Sequence, residues 1–197
     1  MRLSLVRIQY RPFPTYDKMK YPLLTDYIQR YPSAVSPEFL QDLLYRAQLD
    51  DNWQPGRIRA GDVESQYRDC GMQHLSKWRD LDDQLFEIMS HCSQEYAKKH
   101  PKLTVIRDEG YTLLRYTEGQ HHKQHVDMMS NFCRVLSCSV IVNDDYEGDG
   151  LVFFDGTYKP EAKAGDVLMW PSNFLYPHQI YPVKKGVRYA IITWFYG

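Results

Sequence analysis

The chain has 197 residues, with 24 basic and 25 acidic side chains and a formal charge of −1 at pH 7. That length suits one domain with a sizeable core, and a hydrophobic content of 43% excludes bulk disorder. Near-neutrality removes the broad attraction to nucleic acid or anionic lipid that a basic protein has, so nucleic acid is disfavoured as a partner.

Four cysteines, Cys70, Cys92, Cys133 and Cys138, are too few for a disulfide framework and show no Cys-x-x-Cys spacing. They read as reduced thiols of a cytoplasmic protein, with Cys133 and Cys138 as small buried apolar groups. The N-terminal Leu3, Leu5, Val6 and Ile8, set between Arg2 and Arg7, are too short a run for a signal sequence. No apolar run approaches the roughly 18 residues of a membrane span, and no membrane partner is expected.

In chain order, Pro12, Pro14, Pro22 and Pro32 each bias the preceding residue away from helix, which predicts a strand near Leu3–Gln9 and then a wrapping segment. Ser36-Pro37 is a helix start, with Ser as N-cap and Pro at the first helical position. That helix would bury Phe39, Leu40, Leu43, Leu44 and Ala47 and stop near Asp50-Asp51. A longer helix is predicted over 75–99 from Leu75, Trp78, Leu81, Leu85, Ile88, Met89, Cys92 and Tyr96, which recur at the amphipathic period. Lys98 and Lys99 suit its C-terminal end, and Pro101 stops it.

From residue 103 the pattern turns to short β-rich runs: Tyr111–Tyr116, Val135–Val142, Leu151–Phe154, Val167–Trp170, Gln179–Val183 and Val187–Phe195. Turn residues separate them, among them Asn143-Asp144-Asp145, Gly165-Asp166 and Lys184-Lys185-Gly186. The expected fold class is α+β, mainly β: a jelly roll with supporting N-terminal helices. Helices this apolar need a sheet to cover them. A single domain over 1–197 is therefore expected, with 1–102 as helical support and N-terminal wrap and 103–197 as the β-rich part.

His125-Val126-Asp127 carries the chemistry. In an extended segment, side chains at i and i+2 share a face, so His125 and Asp127 converge. His178, at the start of a later strand, is the best candidate for a third ligand. Two imidazoles and one carboxylate on one face of a metal form the facial triad of non-haem Fe(II) oxygenases, which leaves the opposite positions open. Ten residues on, Arg188 lies inside an otherwise apolar strand, where it is costly to bury unless an anion pairs with it. A dicarboxylate of the shape of 2-oxoglutarate would do so, one end on the metal and the far carboxylate on the guanidinium.

Taken in order, Tyr116 to Asp127, Asn143 to Phe154, Gly165 to Ser172 and His178 to Arg188 resemble the prolyl 4-hydroxylase-type 2-oxoglutarate/Fe(II) dioxygenases. The match covers about residues 103–197 and extends weakly upstream, through Trp53-Gln54-Pro55 to the helix at 75–99. The resemblance implies a double-stranded β-helix. It also implies Fe(II), 2-oxoglutarate and O2, with ascorbate as an accessory and succinate and CO2 as co-products. On that pattern His125, Asp127 and His178 match the metal positions, Arg188 the basic residue that holds the co-substrate, and Tyr116 a tyrosine lining its pocket. The implied reaction is hydroxylation of an unactivated C–H bond, of a prolyl residue in a peptide or protein. A carboxylate at Asp127 favours hydroxylation over halogenation, which needs a small residue there. The chain departs from the family at His122, where a tyrosine is common, and at Gly148-Asp149, where Gly-Gly is common.

Other readings stand beside these. The same chemistry on another residue or on a small molecule, or a cupin-like metal-binding jelly roll without oxygenase activity, would share the β pattern. His121 and His122 would crowd a triad site and read as solvated or pocket-lining. The run Asp145 to Gly150 resembles the start of a calcium loop, but Gly156 falls where a bidentate Glu is required. His74, His91 and His100 default to the surface, and Arg115 and Arg134 to surface charges or supporting roles.

Overall fold

The computed structural model describes residues 22–58, 62–128 and 133–197; the strand expected near Leu3–Gln9 lies outside them. The strands described are β1 (Gln29–Tyr31), β2 (Gln54–Pro55), β3 (Arg68–Asp69), β4 (Gly71–His74), β5 (Arg107–Asp108), β6 (Thr112–Tyr116), β7 (His121–His125), β8 (Arg134–Ile141), β9 (Leu151–Phe153), β10 (Val167–Pro171), β11 (His178–Ile180) and β12 (Arg188–Tyr196). Two α-helices, α1 (Pro37–Leu49) and α2 (Arg79–Lys99), precede most of them among the described residues.

The strands form two antiparallel sheets. The larger has eight strands in the order β1-β10-β8-β12-β6-β4-β2, with β5 also on β12. The smaller has four, in the order β3-β7-β11-β9. Their inner faces meet across a cluster containing Leu114, Tyr116, Leu151, Phe153, Leu168, Trp170 and Ile180. This is the jelly roll expected from the strand pattern.

The helices close the outer face of the larger sheet. Side chains alternate along a strand, so on β10 Val167 and Met169 face the helices while Leu168 and Trp170 face the second sheet. On β8 the same alternation sends Leu136, Cys138 and Val140 outward to the helices. Ser137 and Ser139, buried and of opposite parity, fall on the other face. A sheet covered on both sides needs strands apolar at nearly every position, and this accounts for the continuous runs in the sequence.

α1 starts as its sequence dictates: the Ser36 hydroxyl accepts from the Phe39 N–H at 3.2 Å and Pro37 occupies the first turn. It buries Phe39, Leu40, Leu43 and Ala47, with Leu44 partly buried against the same cluster. α2 starts later than its periodicity predicts. Leu75–Lys77 is a 3-10 turn, because the Leu75 N–H donates to the Tyr111 carbonyl at 2.9 Å and ties the segment to the sheet. Lys98 and Lys99 do fall in the last turn of α2.

The N-terminal half is not helical support alone. At Cys70 the chain crosses from one sheet to the other, β3 pairing with β7 in the smaller sheet and β4 with β6 in the larger. These strands carry two to four residues each and owe their pairing to partners distant in sequence, so local pattern could not reveal them. Cys133 is exposed, contrary to expectation, while Cys70, Cys92 and Cys138 are buried free thiols. Cys133 precedes β8, outside the alternation that buries Cys138.

Leu85, on α2, is fully buried and Phe86 beside it is mostly exposed. Leu85→Ala is expected to lower the unfolding free energy by about 2–5 kcal/mol in urea titration, and Phe86→Ala by less than about 1 kcal/mol.

Candidate metal centre

His125 closes β7 and His178 opens β11; their Cα atoms are direct partners in the antiparallel register. Asp127 follows two residues after β7 and is 6% exposed. One ligand atom from each of the three lies within 4.8 Å of the others. The Nε2 of His178 is 3.3 Å and that of His125 3.7 Å from the Asp127 carboxylate. The sequence pairing of His125 with Asp127 and the choice of His178 therefore converge in space.

The other nitrogen of each ring fixes its orientation. His125 Nδ1 lies 2.8 Å from the Lys123 carbonyl and His178 Nδ1 3.0 Å from the Tyr176 carbonyl. A carbonyl only accepts, so each Nδ1 carries the proton and each Nε2 presents its lone pair to the centre. Two imidazole lone pairs facing one carboxylate are the donor set that suits Fe(II) with open positions, and the residues fit such a metal.

Asp127 is held from behind. Its carboxylate accepts from the Ser137 hydroxyl at 2.7 Å, and the Ser137 and Ser172 hydroxyls are 2.8 Å apart. Since Ser137 donates to the carboxylate, it accepts from Ser172. Burial alone would raise the Asp127 pKa, but the two imidazoles and hydrogen bonds from Ser137 and Trp194 outweigh it and hold the carboxyl below its usual range. Burial, with the neighbouring His178, pulls His125 down to about 4. Both residues thus hold the ionisation states that a metal needs.

A cavity of about 840 Å³ opens onto this cluster between the two sheets. Arg188, 3% exposed, lines it from the start of β12, directly across from Tyr116 on β6. Its guanidinium stands 5.4 Å from the centre of the Tyr116 ring, and among the described residues no carboxylate is within ion-pair distance of it. Gly150 sits against it with φ +67; a Cβ there would lie 3.9 Å from Arg188 Nε and 2.6 Å from the Tyr146 hydroxyl. Tyr116 is fully buried, and burial pushes its hydroxyl far above the ordinary value, so it remains a neutral phenol.

The neighbours of the site divide clearly. His122 stacks on His125 with centroids 3.6 Å apart and lines the cavity; burial drives its pKa strongly down, so it is neutral. His121 bends away to the Gly119 and Gln66 carbonyls. Arg134 forms a two-pronged pair with Glu109 over the Trp194 ring at the cavity wall, whereas Arg115 lies over Trp53. His74 also lines the cavity rather than only the surface. Asp145 to Gly150 is a connecting turn, bridged to the next hairpin at Glu147 and Lys185.

Sequence reasoning missed Ser137, Ser172 and Arg68, the last another cavity-lining arginine. A signal existed for Ser137, a hydroxyl at an alternate position of an apolar strand. For Arg68, on a two-residue strand amid polar residues, there was none.

Residues 111–196 match the sequence model of the 2OG-Fe(II) oxygenase superfamily. A PKHD-type hydroxylase of Xanthomonas euvesicatoria is 28% identical over 180 residues, covering 83% of this chain and 75% of the relative. Among solved structures, a Pseudomonas putida prolyl-4-hydroxylase aligns with a TM-score of 0.73 at 18% identity, over 87% of this chain and 93% of its own. A Trichoplax adhaerens prolyl hydroxylase, in complex with a hypoxia inducible factor peptide fragment, aligns at 0.71 and 14% identity, over 87% and 84%. At those identities the structural likeness establishes the fold, the double-stranded β-helix.

The His125 pKa of about 4 in the folded chain lies below the value of about 6.5 for an unperturbed histidine. The unfolded chain therefore takes up the proton first, and stability falls as pH drops from about 6.5 toward 4. Urea unfolding of the metal-free chain at several pH values is expected to show this loss, and His125→Asn to make it shallower.

Proposed function

We propose that this chain, a 2OG-Fe(II) oxygenase of the prolyl 4-hydroxylase-like kind, hydroxylates an unactivated C–H bond of a prolyl residue in a peptide or protein. The observation that carries the proposal is the pairing, in one cavity, of the His125, Asp127 and His178 cluster with a buried arginine that has no carboxylate within ion-pair distance among the described residues.

In this reading His125 and His178 hold Fe(II) through Nε2 and Asp127 through its carboxylate. The metal, when bound, supplies the redox chemistry: one atom of O2 ends in the new hydroxyl and the other in succinate, as 2-oxoglutarate loses CO2. The protein supplies the rest. The Lys123 and Tyr176 carbonyls keep the two rings from turning, and Ser137 and Trp194 keep Asp127 ionised and aimed. Arg188 binds the far carboxylate of 2-oxoglutarate, and the charge pair so formed is strong because Arg188 is buried. Tyr116, whose ring lies beside the guanidinium and whose neutral hydroxyl contacts the Cys70 thiol, lines the co-substrate pocket in this reading. Aromatic walls exclude water around the reacting groups: Phe153 meets Trp170 edge-on at 5.2 Å, and Trp170 meets the His178 ring at 5.1 Å.

The relatives support the substrate class. Both solved neighbours are named as prolyl hydroxylases, and one was solved with a peptide fragment. The supporting helices and the β-rich part work as one catalytic domain in this reading, since α1 and α2 cover the outer face of the sheet that carries Arg188. The buried free thiols suit a reducing compartment such as the cytoplasm, and no helix among the described residues is long and apolar enough to cross a membrane. Ascorbate enters as an accessory that sustains turnover, outside the balance of the reaction.

Anaerobic addition of Fe(II) and 2-oxoglutarate is expected to raise a visible charge-transfer band, and His178→Ala to abolish both the band and succinate formation. Retention of both in that variant would remove His178 from the metal. Arg188→Ala is expected to weaken 2-oxoglutarate binding by about 2 kcal/mol or more, roughly thirtyfold, in calorimetric titration. Mass spectrometry of lysate peptides, treated with and without the enzyme, is expected to show prolyl peptides gaining one oxygen atom. Gain confined to free small molecules would exclude the protein-hydroxylase reading.

A further inference from the structure

The proposed reaction gives a partner to one of two buried arginines in the cavity. The other is Arg68, on β3, 8% exposed and part of the cavity lining. The register of the smaller sheet sets Arg68, His122, Ile180 and Leu151 in one cross-strand row, beside the row of His125, His178 and Phe153. Arg68 thus occupies the edge-strand end of the row next to the metal-ligand residues.

Its own polar contacts are with neutral groups. Nη1 donates to the Arg57 carbonyl at 2.9 Å, the Cys70 thiol is a further contact, and Nε is buried with no partner. Among the described residues no carboxylate lies within ion-pair distance of it. Of the other charged groups of the wall, Arg134 pairs with Glu109 and Asp127 belongs to the candidate metal cluster, while Arg57, Glu64 and Lys123 lie toward its rim, part-buried or exposed. With Fe(II) and 2-oxoglutarate in place, the two metal charges and Arg188 are balanced by Asp127 and the two carboxylates of the co-substrate. Arg68 then remains a buried cation with no anion paired to it among the described residues, a costly arrangement that a ligand's anion would relieve.

Arg68 and Arg188 come from opposite sheets of one cavity, and the charge count above leaves Arg68 free for a second ligand. We propose that Arg68 anchors a carboxylate of the substrate, so that the residue hydroxylated carries, or lies next to, a free acid. The shared chemistry is a carboxylate close to the C–H bond attacked; its source is either the α-carboxylate of a free or C-terminal proline or the side chain of an adjacent acidic residue. This inference rests on the proposed function and narrows its substrate.

The test is binding, read by calorimetry on the full chain, alone and with Zn(II) and 2-oxoglutarate, which support no turnover. The probes are free L-proline, a tripeptide ending in proline as acid and as amide, and an internal prolyl peptide with Asp or Asn beside the proline. The loaded chain is expected to bind an acid at least about tenfold more tightly than its neutral counterpart. Preference for the proline-terminated acid assigns the α-carboxylate, and preference for Asp over Asn assigns the side chain. Arg68→Gln is expected to erase the preference while changing 2-oxoglutarate affinity less than about threefold, and Arg68→Lys, which keeps the charge, to retain most of it. Arg188→Met is expected to do the reverse, losing 2-oxoglutarate and keeping the preference. Equal binding of acid and neutral forms by the wild-type chain overturns the proposal. So does an Arg68→Gln variant that keeps the preference, or that loses 2-oxoglutarate as Arg188→Met does. A wild-type chain that takes up neither Zn(II) nor 2-oxoglutarate defeats the proposed function instead, and the acid preference of the metal-free chain, with its loss in Arg68→Gln, then decides the role of Arg68 on its own.

Discussion

Everything in the site depends on one buried carboxylate kept ionised at the wall of the cavity. Asp127 has little solvent to stabilise it, so its charge must be met by protein groups or by a metal. The protein supplies a Ser137 hydroxyl, itself supported by Ser172, and two imidazoles whose outer nitrogens are tied to backbone carbonyls. Because those outer nitrogens carry the protons, the inner ones face the carboxylate as lone pairs. Two imidazole nitrogens and a carboxylate pointed at one spot form a donor set that a cation would hold together.

The fold provides this by parity. An antiparallel sheet alternates its side chains, so a strand with helices on one side and a cavity on the other can carry apolar residues on one face and functional ones on the second. β8 does so with Leu136, Cys138 and Val140 against Ser137 and Ser139. β12 does so with Ile191 and Phe195 in the helix-side core, while Arg188, Ala190, Ile192 and Trp194 line the cavity. The helices contribute nothing to the cavity wall, yet they bury the outer face that would otherwise be exposed and so free the inner face for polar groups. A shift of one residue in the β7–β11 register would turn His125 or His178 to the opposite face, which makes register the feature that stability must protect.

The convergence of His125, Asp127 and His178, and the burial of Arg188, were legible in the sequence because each lies within or beside a strand of strong β pattern, at spacings that carry meaning without a third dimension. Both long helices were legible from their periodicity, with the start of α2 displaced by the hydrogen bond that holds Leu75 to the sheet. β3 and β4 were not, since two-residue and four-residue strands exist only through their pairing with β7 and β6. Arg68 was hidden with them. A charged residue in a polar stretch looks like surface until the chain is seen to cross between the sheets at Cys70. The aromatic richness of the composition is partly explained by Phe153, Trp170 and Tyr116 around the cavity; Phe174 and Tyr181 remain exposed and play no part there.

The account stands or falls on where a metal binds and which atoms hold it. Crystals loaded anaerobically with Fe(II) and measured at the iron absorption edge test this directly. The predicted result is one anomalous peak within bonding distance of His125 Nε2, His178 Nε2 and the Asp127 carboxylate, with both Nδ1 atoms still on the Lys123 and Tyr176 carbonyls. Iron bound elsewhere, or held through a ring nitrogen now assigned to a carbonyl, would contradict it.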